Sequence, residues 1–188
     1  MQDSRRTIAH ARRAIRWGCR SPGNLKAPDD PQGALLGDAS HSTHVELTKT
    51  LSLAGEHTVV VNDGFNGALT GGYSLWVQRL NDPGNAVPLS GGDPITGTIA
   101  TIGEIDTFVI SGDAGDTFVV SASNQSGSPW PELRLYTPSG ALLAADSAST
   151  HVEITPTLSS GGSHTLLVGD GFNGTLVGAY AVQLQALP

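Results

Sequence analysis

The chain has 188 residues, of which 38% are hydrophobic and 5% aromatic, which suits one or two small domains with cores of Val, Ile, Leu and a few rings. Its formal net charge of −7 is unevenly placed: seven of the ten basic residues lie in the first 26 positions, and from residue 31 onward three (Lys49, Arg79, Arg134) face fourteen acidic ones, a net of −11 that disfavours nucleic acid and anionic lipid as partners. A single cysteine, Cys19, excludes an intrachain disulfide and a thiolate metal cluster, and no run of eighteen apolar residues exists to span a membrane.

Residues 1–32 differ in composition from everything after them. Ile8, Ala11 and Ile15 fall on one helical face among arginines, the spacing of a short basic amphipathic helix. No apolar stretch follows the arginines as a signal peptide requires, and the segment reads as a basic leader, disordered or non-native. Beyond it the sequence repeats. Residues 33–80 align without a gap on residues 140–187 at an offset of 107, with 28 of the 48 paired positions identical. A period of that length is the size of a small domain rather than a solenoid unit. Upstream of Gly33 the match stops, so 33–80 is expected to be the C-terminal half of a first unit that lacks its front.

Strand and turn signals follow in order. Residues 81–88, Asn-Asp-Pro-Gly-Asn-Ala-Val-Pro, read as a linker. Strand patterns then run through Gly97–Ile99, Ile105–Ile110, Asp116–Val120 and Glu132–Tyr136, separated by turns such as Ser111–Gly115 and Thr137–Gly140. In the repeated part Val152, Ile154 and Leu158 alternate with polar residues, and Leu166, Val168 and Tyr180–Leu184 continue the period of two. The predicted fold is all-β: an antiparallel β-sandwich or jelly roll of about eight strands over 89–187, preceded by a half-unit of about four strands over 33–80.

Two short constellations occur in both copies. Asp63-Gly64-Phe65-Asn66-Gly67 and Asp170-Gly171-Phe172-Asn173-Gly174 join two turn-forming dipeptides into a compact loop with the phenylalanine tucked beneath it. The same Asp and Asn oxygens (Asp63, Asn66, Asp170, Asn173) are candidate calcium ligands, although one carboxylate per loop is few for that ion. His44 with Glu46, and His151 with Glu153, place an imidazole and a carboxylate on one strand face within reach of zinc. His57 and His164 open the following strand as a third donor. The competing reading puts all of these on the solvated face. No Gly-x-Ser-x-Gly elbow, His-Glu-x-x-His or phosphate-binding glycine loop occurs, so the chain is expected not to be an enzyme.

Gly97-Thr98-Ile99, Glu104–Phe108, Ala114–Thr117 and Leu133–Gly140 together resemble the bacterial pre-peptidase C-terminal domain, over about 91–187 in full and over 33–80 as a rear half. That resemblance implies an eight-stranded β-sandwich appended to secreted proteases and other exported bacterial proteins, extracellular or at the cell surface. It further implies a non-catalytic accessory, binding or spacer role, with an extracellular polymer or a parent protease as partner. Some relatives, such as the collagen-binding domains of clostridial collagenases, bind Ca2+ through acidic residues near the first strands. Asp93, Glu104 and Asp106 are the nearest counterparts here, with Glu104 where the family commonly has aspartate. The alternative is a calcium-stabilised tandem-repeat protein of a surface layer or filament, self-associating through the uncovered apolar face of the first copy.

Overall fold

A computed structural model describes residues 4–9, 14–20, 23–64 and 68–187. They form two compact units, residues 1–79 and 80–188, and no helix occurs among them. The first unit contains β1 (Ser4–Ala9), β2 (Ala14–Arg20), β3 (Gly23–Asp29), β4 (Asp38–His41), β5 (His44–Thr50), β6 (Glu56–Asn62) and β7 (Ser74–Arg79). These make one sheet in the order β1-β6-β3-β4 and a second in the order β5-β2-β7.

The second unit contains β8 (Val87–Pro88), β9 (Ile95–Ile99), β10 (Asp106–Gly112), β11 (Phe118–Gly127), β12 (Pro131–Tyr136), β13 (Leu142–Ser147), β14 (His151–Ile154), β15 (Gly162–Asp170) and β16 (Gly178–Ala186). Its sheets run β13-β12-β15-β10-β8 and β14-β11-β16-β9. Alternation decides which residues turn inward. Phe108 and Ile110, Leu133 and Leu135, and Leu166 and Val168 come from the first sheet. They meet Phe118, Val120, Val152, Ile154, Val182 and Leu184 of the second in one buried cluster. At roughly 1.5–3 kcal/mol for each large apolar side chain removed from water, this interface is the main source of the unit's stability. It is an all-β sandwich, as the alternation predicts.

The first unit departs from the expectation in an informative way. Residues 33–80 do supply four strands, β4 to β7. The segment 1–32, expected as an unstructured leader, supplies three more. Strand for strand, the order β1-β6-β3-β4 and β5-β2-β7 repeats β10-β15-β12-β13 and β14-β11-β16. The registers agree as well. Ser4 lies opposite Val61 as Asp106 lies opposite Val168. Trp17 lies opposite Leu47 and Val77, as Val120 lies opposite Ile154 and Leu184. Leu25 lies opposite Val61 and Ala39, as Leu133 lies opposite Val168 and Asp146. Each of those partner pairs in the rear halves is separated by the repeat offset of 107.

The physical reason is that β2 is the middle strand between β5 and β7, and β6 is flanked by β1 and β3. Without the front strands, the rear ones would have no ladder partners. Ile15, Trp17 and Cys19 stand at the register positions of the core residues Phe118, Val120 and Ala122, a period-two pattern that a helical reading of Ile8, Ala11 and Ile15 obscured. What the first unit lacks, among the described residues, is any counterpart of β8 and β9. The presumed linker 81–88 also shrinks, because Val87 and Pro88 pair in parallel with Phe108 and Val109.

Candidate functional site

The best-defined polar geometry lies at one end of the second unit, where β15 runs into the loop 170–177. Buried Asp170 holds this loop through both carboxylate oxygens. Its Oδ1 accepts from the amides of Trp130 at 2.9 Å and Phe172 at 3.3 Å, and its Oδ2 from Leu176 at 2.9 Å. The Gly171 amide donates to the Trp130 carbonyl at 2.8 Å, and the Gly103 amide to the Gly174 carbonyl at 2.8 Å. Asn173 adopts φ +56°, the left-handed turn its type tolerates. In the first unit Asp63 Oδ2 accepts from the Leu69 amide at 3.0 Å. Leu69 and Leu176 are separated by the repeat offset, so this clasp is duplicated.

Asp63 and Asp170 are thus loop clasps, which is the structural use expected for these turns. Asn66 lies outside the described residues, as does Phe65. Phe172 departs from the expectation that it tucks under the loop, for it is 46% exposed. Its ring instead meets the exposed indole of Trp130, with centroids 5.0 Å apart and planes at 50°. Two of the Asp170 contacts tie the backbone amides of these same two residues to one carboxylate oxygen. Sequence reasoning missed Trp130; its setting between Pro129 and Pro131, directly before a strand, was the available signal.

Beside it on β12, Glu132, Arg134 and Tyr136 share one face. Arg134 donates from Nε at 2.7 Å and from Nη2 at 2.5 Å to Glu132 Oε1. Burial, then the neighbouring Asp170 carboxylate, push Glu132 up to about 7, against the pull of the guanidinium toward the carboxylate form.

Of the other acidic candidates, Glu104 and Asp106 serve local structure. Asp93 is exposed in the turn before β9. Glu104 Oε2 accepts from the Ala100 and Thr101 amides, each at 2.8 Å, and from Thr101 Oγ1 at 3.3 Å. Asp106 Oδ2 accepts a 2.6 Å bond from the Tyr180 hydroxyl. Desolvation raises the Asp106 pKa, with the Tyr180 bond opposing and Glu104 adding to the rise. Calcium takes six to eight oxygens, and no group of three or more His, Cys, Asp or Glu side chains suited to a metal occurs among the described residues. The donor set of Asp93, Glu104 and Asp106 does not fit that ion.

The two His-Glu pairs have diverged. His44 Nε2 lies 3.2 Å from Glu46 Oε1, and its ring stacks on Trp76 at 5.3 Å with planes 12° apart. His151 Nδ1 instead meets Ser123 Oγ at 2.8 Å, with Glu153 exposed. His57 and His164 do not join them, being buried on β6 and β15 in the opposite sheets. His57 Nε2 faces the Leu53 carbonyl at 3.1 Å, and His164 Nδ1 the Gly162 carbonyl at 3.2 Å. The proposed third donor is thereby removed from both zinc constellations.

No helix among the described residues is long and apolar enough to cross a membrane. No protein-family model and no curated protein matches the chain. Among solved structures, the M60 catalytic domain with the CBM51-1 and CBM51-2 domains of Clostridium perfringens ZmpB is 10% identical at a TM-score of 0.33, over 97% of this chain and 34% of that one. The PBSX exported protein XepA is 10% identical at 0.30, over 97% and 82%. A structure of the infectious bursal disease virus Gx strain is 14% identical at 0.26, over 94% and 57%. The chain therefore spans about a third of the first of these proteins, and at such scores the likenesses carry no functional argument.

Proposed function

We propose that the chain is a non-catalytic accessory region of an exported bacterial protein, one that attaches or spaces its parent on an extracellular polymer. The observation that carries this reading is the Trp130–Phe172 pair, two large rings exposed side by side whose backbone amides share one buried aspartate oxygen. Water disfavours leaving such surface uncovered, and a paired, preorganised patch is what a binding face requires. Several of the nominated residues, Glu104, Asp106, Asp170 and His151 among them, are engaged in loop and strand contacts. The net charge of −11 beyond residue 30 favours a neutral or cationic polymer over an anionic one.

The test is retention of the intact chain on insoluble polymers, collagen and neutral polysaccharides among them. The reading expects retention on at least one, lost in the Trp130→Ala/Phe172→Ala double variant with an unchanged melting profile. Retention on none, or retention indifferent to both rings, would sink it.

A further inference from the structure

In the second unit the outer edge of β16 is covered. β9 pairs with it antiparallel, with Gly97 opposite Tyr180, Ile95 opposite Val182 and Ile99 opposite Gly178. The fit is specific, because a Cβ on Gly97 would lie 2.4 Å from the Tyr180 ring. Under this strand Tyr180 is 1% exposed and Leu184 4%.

Among the described residues, the first unit has the corresponding edge strand, β7, without a partner strand like β9. β7 is the terminal strand of its sheet. Tyr73 and Val77 hold the places of Tyr180 and Leu184 at the repeat offset, and they are 39% and 38% exposed. Gly71, Tyr73 and Leu75 repeat the spacing of Gly178, Tyr180 and Val182. An edge with unpaired backbone groups beside exposed apolar side chains is the setting for strand addition.

We infer that the stretch Gly71–Leu75, which leads into the edge of β7 (Ser74–Arg79), is a docking site for an added extended strand of the β9 pattern. That strand runs antiparallel to β7, with a glycine opposite Tyr73 and β-branched apolar residues two positions to either side. The described residues hold two such acceptors, β7 and β16, and one donor, β9. A second copy could fill β7 only by baring its own β16, so the occupant is an additional peptide segment rather than a swapped β9. This inference rests on register and exposure, independently of the accessory role proposed above.

The probe is a synthetic peptide with the sequence of residues 93–100, Asp-Pro-Ile-Thr-Gly-Thr-Ile-Ala, titrated into the full chain. Expected are saturable binding and new hydrogen-exchange protection confined to the amides of residues 71–75. Tyr73→Ala, at an exposed position, should keep the melting profile and weaken binding by about tenfold or more through the lost ring contact. A peptide with valine for its glycine should not bind. Absence of saturable binding, or binding that ignores Tyr73→Ala, overturns the inference. So does a concentration-dependent dimer that protects β7 and resists the peptide, which would make a second copy the occupant.

Discussion

The Tyr180 hydroxyl donates to Asp106 Oδ2 at 2.6 Å, joining β16 in one sheet of the second unit to β10 in the other. Burial raises the pKa of both groups, so the bond satisfies two polar atoms that water reaches poorly. Tyr180→Phe should destabilise the second unit by about 1–3 kcal/mol, the range for a bond to a charged partner and the desolvated group it orphans. Urea denaturation should show a lower midpoint at unchanged slope. A midpoint equal to wild type would mean that Asp106 is fully hydrated.

Gly97→Ala tests the same contact from its other side. The new methyl would meet the Tyr180 ring at 2.4 Å, and the ring is boxed in by the core. A loss of about 1–3 kcal/mol is expected from overpacking. Combining it with Tyr180→Ala should recover part of that loss, and a strictly additive cycle would contradict the contact.

Asp170 offers a graded test of the loop clasp. Asp170→Ala orphans three amides and should cost about 2–4 kcal/mol, with Asp170→Asn retaining part of the stability through its carbonyl. Because Trp130 and Phe172 rest on those amides, the alanine variant should also loosen the rings, read as faster hydrogen exchange across 170–177. Asp63→Ala removes the matching bond to the Leu69 amide and should loosen the first unit's loop in the same way.

His164 makes the second unit sensitive to acid. It is fully buried, its Nε2 has no hydrogen-bonding partner, and desolvation lowers its pKa. Asp113 and Asp116 lie on the loop at the same end of β10, with Asp116 Oδ2 accepting from the Asp113 amide. A group whose folded pKa is depressed in this way favours the fold while neutral. Its contribution is present above the ordinary histidine pKa, about 6.5, and is lost as pH falls from there toward the folded value. Melting midpoints of the second unit should therefore drop below about pH 6.5, and His164→Gln should flatten that decline. An unchanged slope in the variant would assign it to the carboxylates.

Calcium gives a fifth check. Glu104 already caps Ala100 and Thr101, and Asp170 already clasps its loop, so millimolar Ca2+ should leave the melting midpoint unmoved relative to chelator. A ligand present at a hundredfold over its Kd would add about 2.7 kcal/mol, a shift that melting would readily reveal and that would restore the metal reading.

Legibility in the sequence followed local pattern. The strands from β9 to β16 other than β13 were readable because Phe108, Ile110, Val152, Ile154, Leu166 and Val168 alternate cleanly between turns, and the clasp loops because Asp-Gly and Asn-Gly state their own geometry. Residues 4–29 were not readable as strands. Arginines at 5, 6, 12, 13 and 16 dominate the local pattern, and strands there pair with partners 47 to 64 residues away. The exposure of Phe172 was hidden for a related reason. Its loop partner, Trp130, is forty-two positions distant, and no periodicity links the two.

The strand order of the first unit has a consequence for how the chain is made. β1 waits for β6 and β2 waits for β5 and β7, so a chain emerging from its N-terminus shows its most basic stretch long before any ladder can receive it. Distant pairing of this kind is intrinsically slow. A cluster of like charge beside strands that have yet to pair is the kind of feature that disfavours edge-to-edge association, so the basic composition of residues 1–32 bears on the chain in the act of folding.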